Sequence, residues 1–325
     1  MLAAFPWPVR AMLPSQLGLW ARDHCGEAPA SVEPVGGGCT GRAWRLRFSA
    51  HHSLFAKSVK PADLPLLQAE ADGLGALAAA APPELAVPQP LFVGLAAEAA
   101  LLVTDWLPFC PSGGSQATAN SSVSQRGDAA ARRQLGWQQL GRSLALLHRR
   151  SLDGVDARYG WPQDNWIGAA PQVNGWCDSW VEFFRDRRLL PQLEWVARGG
   201  APLRQATTLL ERLPQWLEGH QPEPVLVHGD LWGGNAALLD DGRGAIFDPA
   251  VYRGDREVDL AMAHLFGGFP PAFFAGYEAA WPLSPGHRVR VELYNLYHLL
   301  NHANLFGGSY RQQAQASLDG LLRLG

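Results

Sequence analysis

At 325 residues the chain exceeds one ordinary domain, and its 47% hydrophobic content can fill a sizeable core. A net charge of −3 argues against nucleic acid as the main partner, because domains that bind such polyanions carry a basic excess. Its four cysteines, Cys25, Cys39, Cys110 and Cys177, include no C-x-x-C pair, which excludes a zinc ribbon and a disulfide framework and fits a reducing, cytoplasmic compartment.

The opening "MLAAFPWPVRAML" is broken by Pro6 and Pro8 and lacks the pattern of a secretory signal. No apolar run approaches the ~20 residues of a membrane span, so no membrane partner is expected. Residues 14–25 suit a short helix. Residues 33–60 read as β: "VEPVGGGCTGRAWRLRF" is strand, glycine turn and strand, and "LFAKSV" (54–59) is a third strand. Alternation sets Phe55, Lys57 and Val59 on one face of it. Of 27 basic residues only Lys57 and Lys60 are lysine. A strand lysine in an arginine-rich chain is a candidate for phosphate chemistry, which suits a compact ammonium better than a planar fork. A helix is predicted near 65–80, then strands at 89–96 and 99–107. Residues 111–128 are small and polar and read as a mobile loop. From 129 the periodicity turns helical, with Leu135, Trp137–Leu140, Leu144 and Leu147 on the apolar spacing. Further helical stretches are predicted at 176–198, 201–218, 271–280 and 288–305, with a β island formed by "VLVHGDLWGGN" (225–235) and "GAIFDPAVY" (244–252). The expected plan is α+β: a small β-sheet unit with one main helix over 1–107, and a larger, mostly helical unit over 108–325.

Four features carry chemistry. "GGGCTG" (36–41) between two strands offers backbone N–H groups to phosphate, or is an ordinary hairpin turn. Lys57, with Glu70 on the next helix, has the arrangement that sets an ammonium on nucleotide phosphates, or is a surface coincidence. His228-x-Asp230-x-x-x-x-Asn235 has the spacing of a kinase catalytic loop, in which the acid orients the attacking hydroxyl and the amide binds Mg²⁺. Asp248 in "IFDP" is placed to bridge that metal to the phosphates. Taken singly, Asp230 and Asp248 could serve turns and Asn235 could cap a helix. Their joint order points to an ATP- and Mg²⁺-dependent phosphotransferase.

The arrangement resembles the protein-kinase-like superfamily in its small-molecule branch. It departs from protein kinases in reading "HGD", in following Asp248 with Pro249-Ala250, and in lacking an A-P-E segment. "HGDLWGGN", "FDPAVYRGDREVDLAMAHLFGGF" and "DNWIGAAPQVNGWCDSWVEFFRDRRLLPQLE" resemble the fructosamine kinase, or ketosamine kinase, family over roughly residues 30–320. The resemblance implies a bilobal protein-kinase-like fold and ATP-dependent phosphorylation of a small-molecule or protein-bound ketosamine at a sugar hydroxyl, usually O3. By position it implies Asp230 as catalytic base and Asn235 and Asp248 as Mg²⁺ ligands. Lys57 and Glu70 would set the phosphates, Gly36, Gly37, Gly38, Cys39 and Thr40 would cover them, and Asp105, Trp106 and Leu107 would form a hinge meeting adenine. Trp232 and His228 fall on the substrate side, and Asp259 is expected to brace the loop. A monomer or a homodimer is expected. The rival readings are an aminoglycoside- or choline-type kinase and a non-catalytic nucleotide-binding pseudokinase. His298 and His302, four apart on a helix, suggest packing or cleft lining rather than zinc, because Leu299 stands where H-E-x-x-H needs its base. Cys39 is either a small loop residue or a redox-sensitive thiol.

Overall fold

The computed structural model describes residues 12, 14–36, 41–49, 51–110, 123–153, 157–200 and 202–324. The chain divides into two compact units, Met1–Ala78 with Pro88–Pro108, and Ala79–Val87 with Phe109–Gly325.

In the first unit a five-stranded antiparallel sheet runs in the order β1-β2-β3-β6-β5. These strands are β1 (Ser31–Val35), β2 (Arg42–Arg47), β3 (Ser53–Val59), β5 (Pro90–Ala96) and β6 (Ala99–Asp105). Both faces are covered, so the strands carry apolar residues on each side of the pleat. Leu54, Ala56, Leu101 and Val103 pack with Leu17 and Trp20 of α1 (Pro14–Cys25). Val59, Ala100 and Leu102, on the opposite face, pack with Leu67 and Ala71 of α2 (Leu64–Ala80). Lys57 shares that second face, directly opposite Leu102. The sequence thus signals the α2 face through the odd-numbered positions of β3.

Local sequence signals one boundary, after residue 107. Segment 79–87 nevertheless belongs to the second unit, because β4 (Leu85–Ala86) pairs in parallel with β11 (Gly244–Ile246). That pairing spans about half the chain and has no local signature. The rest of the second unit is mainly helical. Helix α3 (Val123–Arg150) begins earlier than the periodicity implies: 123–128, expected as loop, are helical, and 111–122 lie outside the described residues. Leu135, expected in the core, is 62% exposed, whereas Trp137, Leu140, Leu144 and Leu147 are buried. Helix α3 packs on α8 (Pro271–Ala280). The approach requires glycines. A Cβ on Gly141 would overlap the Phe273 carbonyl, and one on Gly276 would overlap that of Gln138.

Between these helices in sequence lie a hairpin, β7 (Asn165–Ile167) and β8 (Ala170–Gln172), then α4 (Trp180–Phe183), a π-helical turn Phe184–Leu189, α5 (Leu190–Arg198) and α6 (Ala206–Trp216). The β island comprises β9 (Val225–Val227), β10 (Ala236–Leu238), β11 and β12 (Tyr252–Gly254), with β9 paired to β12 and β10 to β11. Helices α7 (Glu257–Leu265), α9 (His287–Phe306) and α10 (Ser309–Leu324) complete the unit. One core gathers Phe183, Phe184, Val225, Val227, Tyr252, Leu296 and Leu300. Among the described residues no helix is long and apolar enough to cross a membrane.

Candidate active site

In the first unit, strand β3 holds Lys57 against α2. Its Nζ lies 2.8 Å from Glu70 Oε2, and both residues are buried, 5% and 9% exposed. The predicted ion pair is present, on the sheet face that α2 covers. Gly36 is exposed at the end of β1, while Gly37, Gly38, Cys39 and Thr40 lie outside the described residues. Gly41 closes the turn at φ +79, with the Ser58 carbonyl 2.6 Å from where a Cβ would stand, so only glycine fits there. At the end of β6 the Asp105 carboxylate accepts the Gln89 N–H, and Thr104 Oγ1 donates to the Asp105 carbonyl at 2.9 Å. The Arg45 guanidinium stacks on Trp106, 4.5 Å from its ring centre. Leu107 follows that strand in the same unit.

In the second unit, β9 delivers a wholly buried Val225–Val227 run into the loop. Gly229 is the sharpest local requirement: its φ is +77 and a Cβ would overlap the Ala250 carbonyl. This accounts for glycine where protein kinases carry arginine. The carboxylate of Asp259, on α7, accepts the Gly229 N–H at 2.8 Å and the His228 N–H at 2.7 Å. Asp259 therefore braces the loop, as its motif implies. Burial would raise its pKa, but the hydrogen bond and charge of His148, together with His228, hold it below the ordinary carboxylate value. His148 itself eluded sequence reading: it sits at the end of the apolar stripe of α3 and resembles a packing residue.

His228 is fully buried. Its Nε2 is 3.0 Å from the Phe247 carbonyl, and its Nδ1 accepts the Asp230 N–H at 3.3 Å. Those contacts fix the tautomer with the proton on Nε2, and burial lowers the pKa, so the ring is neutral. Both nitrogens serve the loop backbone. His228 shapes the loop from within and offers a substrate no ring nitrogen.

Asp230, Asn235 and Asp248 come together. Asn235 Nδ2 donates to the Asp230 carbonyl at 2.9 Å, to Asp230 Oδ2 at 3.2 Å and to the Asp248 carbonyl at 3.3 Å. The amide oxygen is thereby turned away from these acceptors. Asp248 adopts φ +54, an uncommon conformation for a residue with a side chain. Burial first, then the charge of Asp248, raises the Asp230 pKa to about 7; the Asn235 hydrogen bond opposes the shift and Asp259 adds to it. The Asp248 carboxylate and the Asn235 amide oxygen, the latter once that side chain turns over, are hard oxygen donors of the type suited to a divalent cation such as Mg²⁺, with the Asp230 carboxylate beside them. The mutual repulsion of the carboxylates is what such a cation would relieve.

The glycine pair before Asn235 also has a physical reason. A Cβ on Gly234 would overlap the Trp232 indole, and Gly233 packs against Gly267 and Gly268. Trp232 is half-buried, with Gly234 laid across its ring.

Two other clusters are accounted for internally. His220, Asp255 and Glu257 are close enough to hold a metal, but His220 Nε2 and the Tyr294 hydroxyl each contact Asp255 Oδ2 at 2.6 Å. Arg290 grips both oxygens of Glu257 at 2.7 and 2.8 Å. His302 Nδ1 bonds the His298 carbonyl at 2.9 Å and its ring packs on Phe266, so the α9 histidines form no metal pair.

The family model for fructosamine kinase matches residues 18–139 and 128–324. The chain belongs to the fructosamine kinase family. A relative in Synechocystis sp. named as a ketoamine kinase is 42% identical over 290 residues, covering 89% of this chain and 90% of that protein. A chloroplastic protein of Oryza sativa subsp. indica, named protein-ribulosamine 3-kinase, is 35% identical over 297 residues, covering 90% of this chain and 79% of its own. A crystal structure from Haemophilus somnus named as a fructosamine-3-kinase superposes with a TM-score of 0.78 at 25% identity, covering 94% of this chain and 96% of the other. The fold of this family member is thus the bilobal kinase-like one expected from the sequence.

Proposed function

We propose that the chain is an ATP-dependent phosphotransferase acting on a sugar hydroxyl of ketosamines, the O3 position by analogy with its ribulosamine 3-kinase relative. The observation that carries this reading is the Asp230–Asn235–Asp248 cluster on a loop braced by Asp259. The substrate class rests on family membership.

In this mechanism Asp230 orients the acceptor hydroxyl and takes its proton as the oxygen attacks the γ-phosphorus, the bond from that phosphorus to the β,γ-bridging oxygen breaking so that ADP leaves. Asn235 and Asp248 are the residues that would hold Mg²⁺, which when bound neutralises phosphate charge and draws Asp230 toward its ionised form. Lys57, fixed by Glu70, addresses the α- and β-phosphates. Residues 36–40 cover the phosphates, and the backbone of Asp105–Leu107 meets adenine. Trp232 presents an apolar face to the sugar or to the amine that carries it. Positioning and charge neutralisation supply most of the acceleration, as in other phosphoryl transfers.

The test is ATP turnover on ribulose-lysine and fructose-lysine, with the phosphorylated position read by NMR. Phosphate at O3 is expected. An aminoglycoside or choline turned over in preference to both ketosamines would overturn the substrate assignment. Absence of turnover on every acceptor, with nucleotide still bound, would favour a pseudokinase.

A further inference from the structure

The turn that follows Asp248 is held from outside by side chains of the 164–194 segment, apart from the lysine, glutamate and loop motifs. Asn165 Nδ2 donates to the Val251 carbonyl at 2.7 Å, and Gln172 Nε2 donates to the Ala250 carbonyl at 3.0 Å. The two amides are joined, since Gln172 Nε2 also donates to Asn165 Oδ1 at 2.8 Å. Asn174 Nδ2 donates to the same oxygen at 2.9 Å. Behind them, Arg188 Nη2 donates to Asn174 Oδ1 at 2.8 Å, and the Tyr297 hydroxyl donates to Gln172 Oε1 at 2.9 Å. All five residues are buried, Arg188 completely.

Every amide in this cluster has only one workable orientation. Both Nε2 hydrogens of Gln172 are spent, on Asn165 and Ala250. Both acceptor positions of Asn165 Oδ1 are filled, by Gln172 and Asn174. Both Nδ2 hydrogens of Asn174 are spent, on Asn165 and on the Gln163 carbonyl at 3.0 Å. Flipping any one amide would oppose donor to donor or acceptor to acceptor. The hydrogen bonds therefore run in one direction, from Arg188 through Asn174 and Asn165 to the Val251 carbonyl, and from Tyr297 through Gln172 to the Ala250 carbonyl.

Arg188 anchors the inner end of the ladder. It projects from the π-helical turn, stacks on Tyr252 at 3.9 Å, and among the described residues its acceptors are neutral oxygens. A buried cation without a carboxylate is costly unless neighbouring dipoles are ordered around it. π-Helical turns recur at functional sites.

The far end of the ladder touches both reactive loops. The Ala250 carbonyl that Gln172 grips lies where a Cβ on Gly229 would stand, and the Ala250 N–H donates to the His228 carbonyl at 2.8 Å. Gly229 precedes Asp230, and Ala250 lies two residues beyond Asp248 with its uncommon φ. Such a conformation persists only where surroundings over-determine it.

We propose that Asn165, Gln172 and Asn174, oriented by Arg188 and Tyr297, are positioning residues that hold the Asp248 turn and the Asp230 loop in register for phosphoryl transfer. This rests on the roles proposed above for Asp230 and Asp248. Gln172→Leu removes both donors at nearly constant volume. Gln192→Leu is the control, because Gln192 is an equally buried amide whose partners, Asn301 and Asn304, lie away from both loops. Hydrogen exchange of 226–253 should be read together with calorimetric binding of nucleotide with and without Mg²⁺, and with kcat and KM. Gln172→Leu is expected to speed exchange of the Ala250 and Asp230 amides by at least about tenfold. It should also abolish most of the gain in nucleotide affinity that Mg²⁺ gives, and lower kcat far more than it raises the ketosamine KM. Gln192→Leu, at a similar loss of Tm, should do none of these. Equal effects in the two variants would overturn the proposal. Should Gln172→Leu not fold, Tyr297→Phe, which removes one donor only, must shift exchange and kcat in the same direction, and an unchanged Tyr297→Phe protein would equally overturn it. Exchange and nucleotide binding need no ketosamine, so failure of the ladder is distinguishable from failure of the substrate assignment.

Discussion

Asp230 is held where burial and the neighbouring Asp248 make its charge unwelcome. Its folded pKa, about 7, lies above the ordinary value near 4. An acid shifted upward binds its proton more tightly when folded, so native stability falls as pH rises through that window and stays lower above it. Asp230→Asn should therefore raise the Tm of the metal-free protein in EDTA above neutral pH, by the equivalent of a few kcal/mol at most. The same variant should lose kcat by orders of magnitude and keep its affinity for ATP. A lower Tm, or near-normal turnover, would contradict the assignment. Lys57 poses the opposite case. Lys57→Met leaves Glu70 buried without its lysine and should cost about 3–5 kcal/mol in denaturant unfolding. The double variant Lys57→Met, Glu70→Leu should recover much of that loss. These residues were legible in the sequence because spacing along the chain is itself the signal. His148, Asn165, Gln172 and Arg188 were not, because their partners, the Asp259 and Asn174 side chains and the Val251 and Ala250 carbonyls, are brought to them by the fold and no local pattern marks them.

Elements repeat that lesson. The strands of the first unit and helices α1, α2, α8 and α9 follow from alternation, periodicity and proline or glycine punctuation. The first turns of α3 escaped because an exposed helix needs no apolar stripe, and residues 127–135 are all exposed. Helix α10 and the β7–β8 hairpin were likewise unmarked; the hairpin's two three-residue strands are too short to show a period. The α3–α8 contact yields a paired expectation. Gly141→Ala and Gly276→Ala each force apart two backbones and should cost about 1–3 kcal/mol. Gly75→Ala, on the exposed face of α2 with open space around it, should be neutral or stabilising by up to about 1 kcal/mol. Thermal melts of the three variants would separate close packing from helix propensity, and a stabilised Gly141→Ala would refute the packing account.

For the whole molecule, the reaction proposed for the chain bears on the chain itself. Ketosamines arise when a sugar aldehyde condenses with a primary amine, loses water and rearranges. A guanidinium, protonated at any physiological pH, is no nucleophile for that step. Replacing nearly every lysine by arginine leaves two side-chain amines. Lys57 is enclosed against Glu70 with its side chain 7% exposed, whereas that of Lys60 is 54% exposed beside Asp63. Prolonged incubation with ribose should place side-chain adducts on Lys60 and spare Lys57, as peptide mass mapping would show, with turnover largely retained. Adducts on Lys57 matching those on Lys60 would contradict this. The buried ion pair that fixes the Lys57 ammonium thereby also shelters it, leaving the chain poorly susceptible to forming on itself the adducts proposed as its substrates.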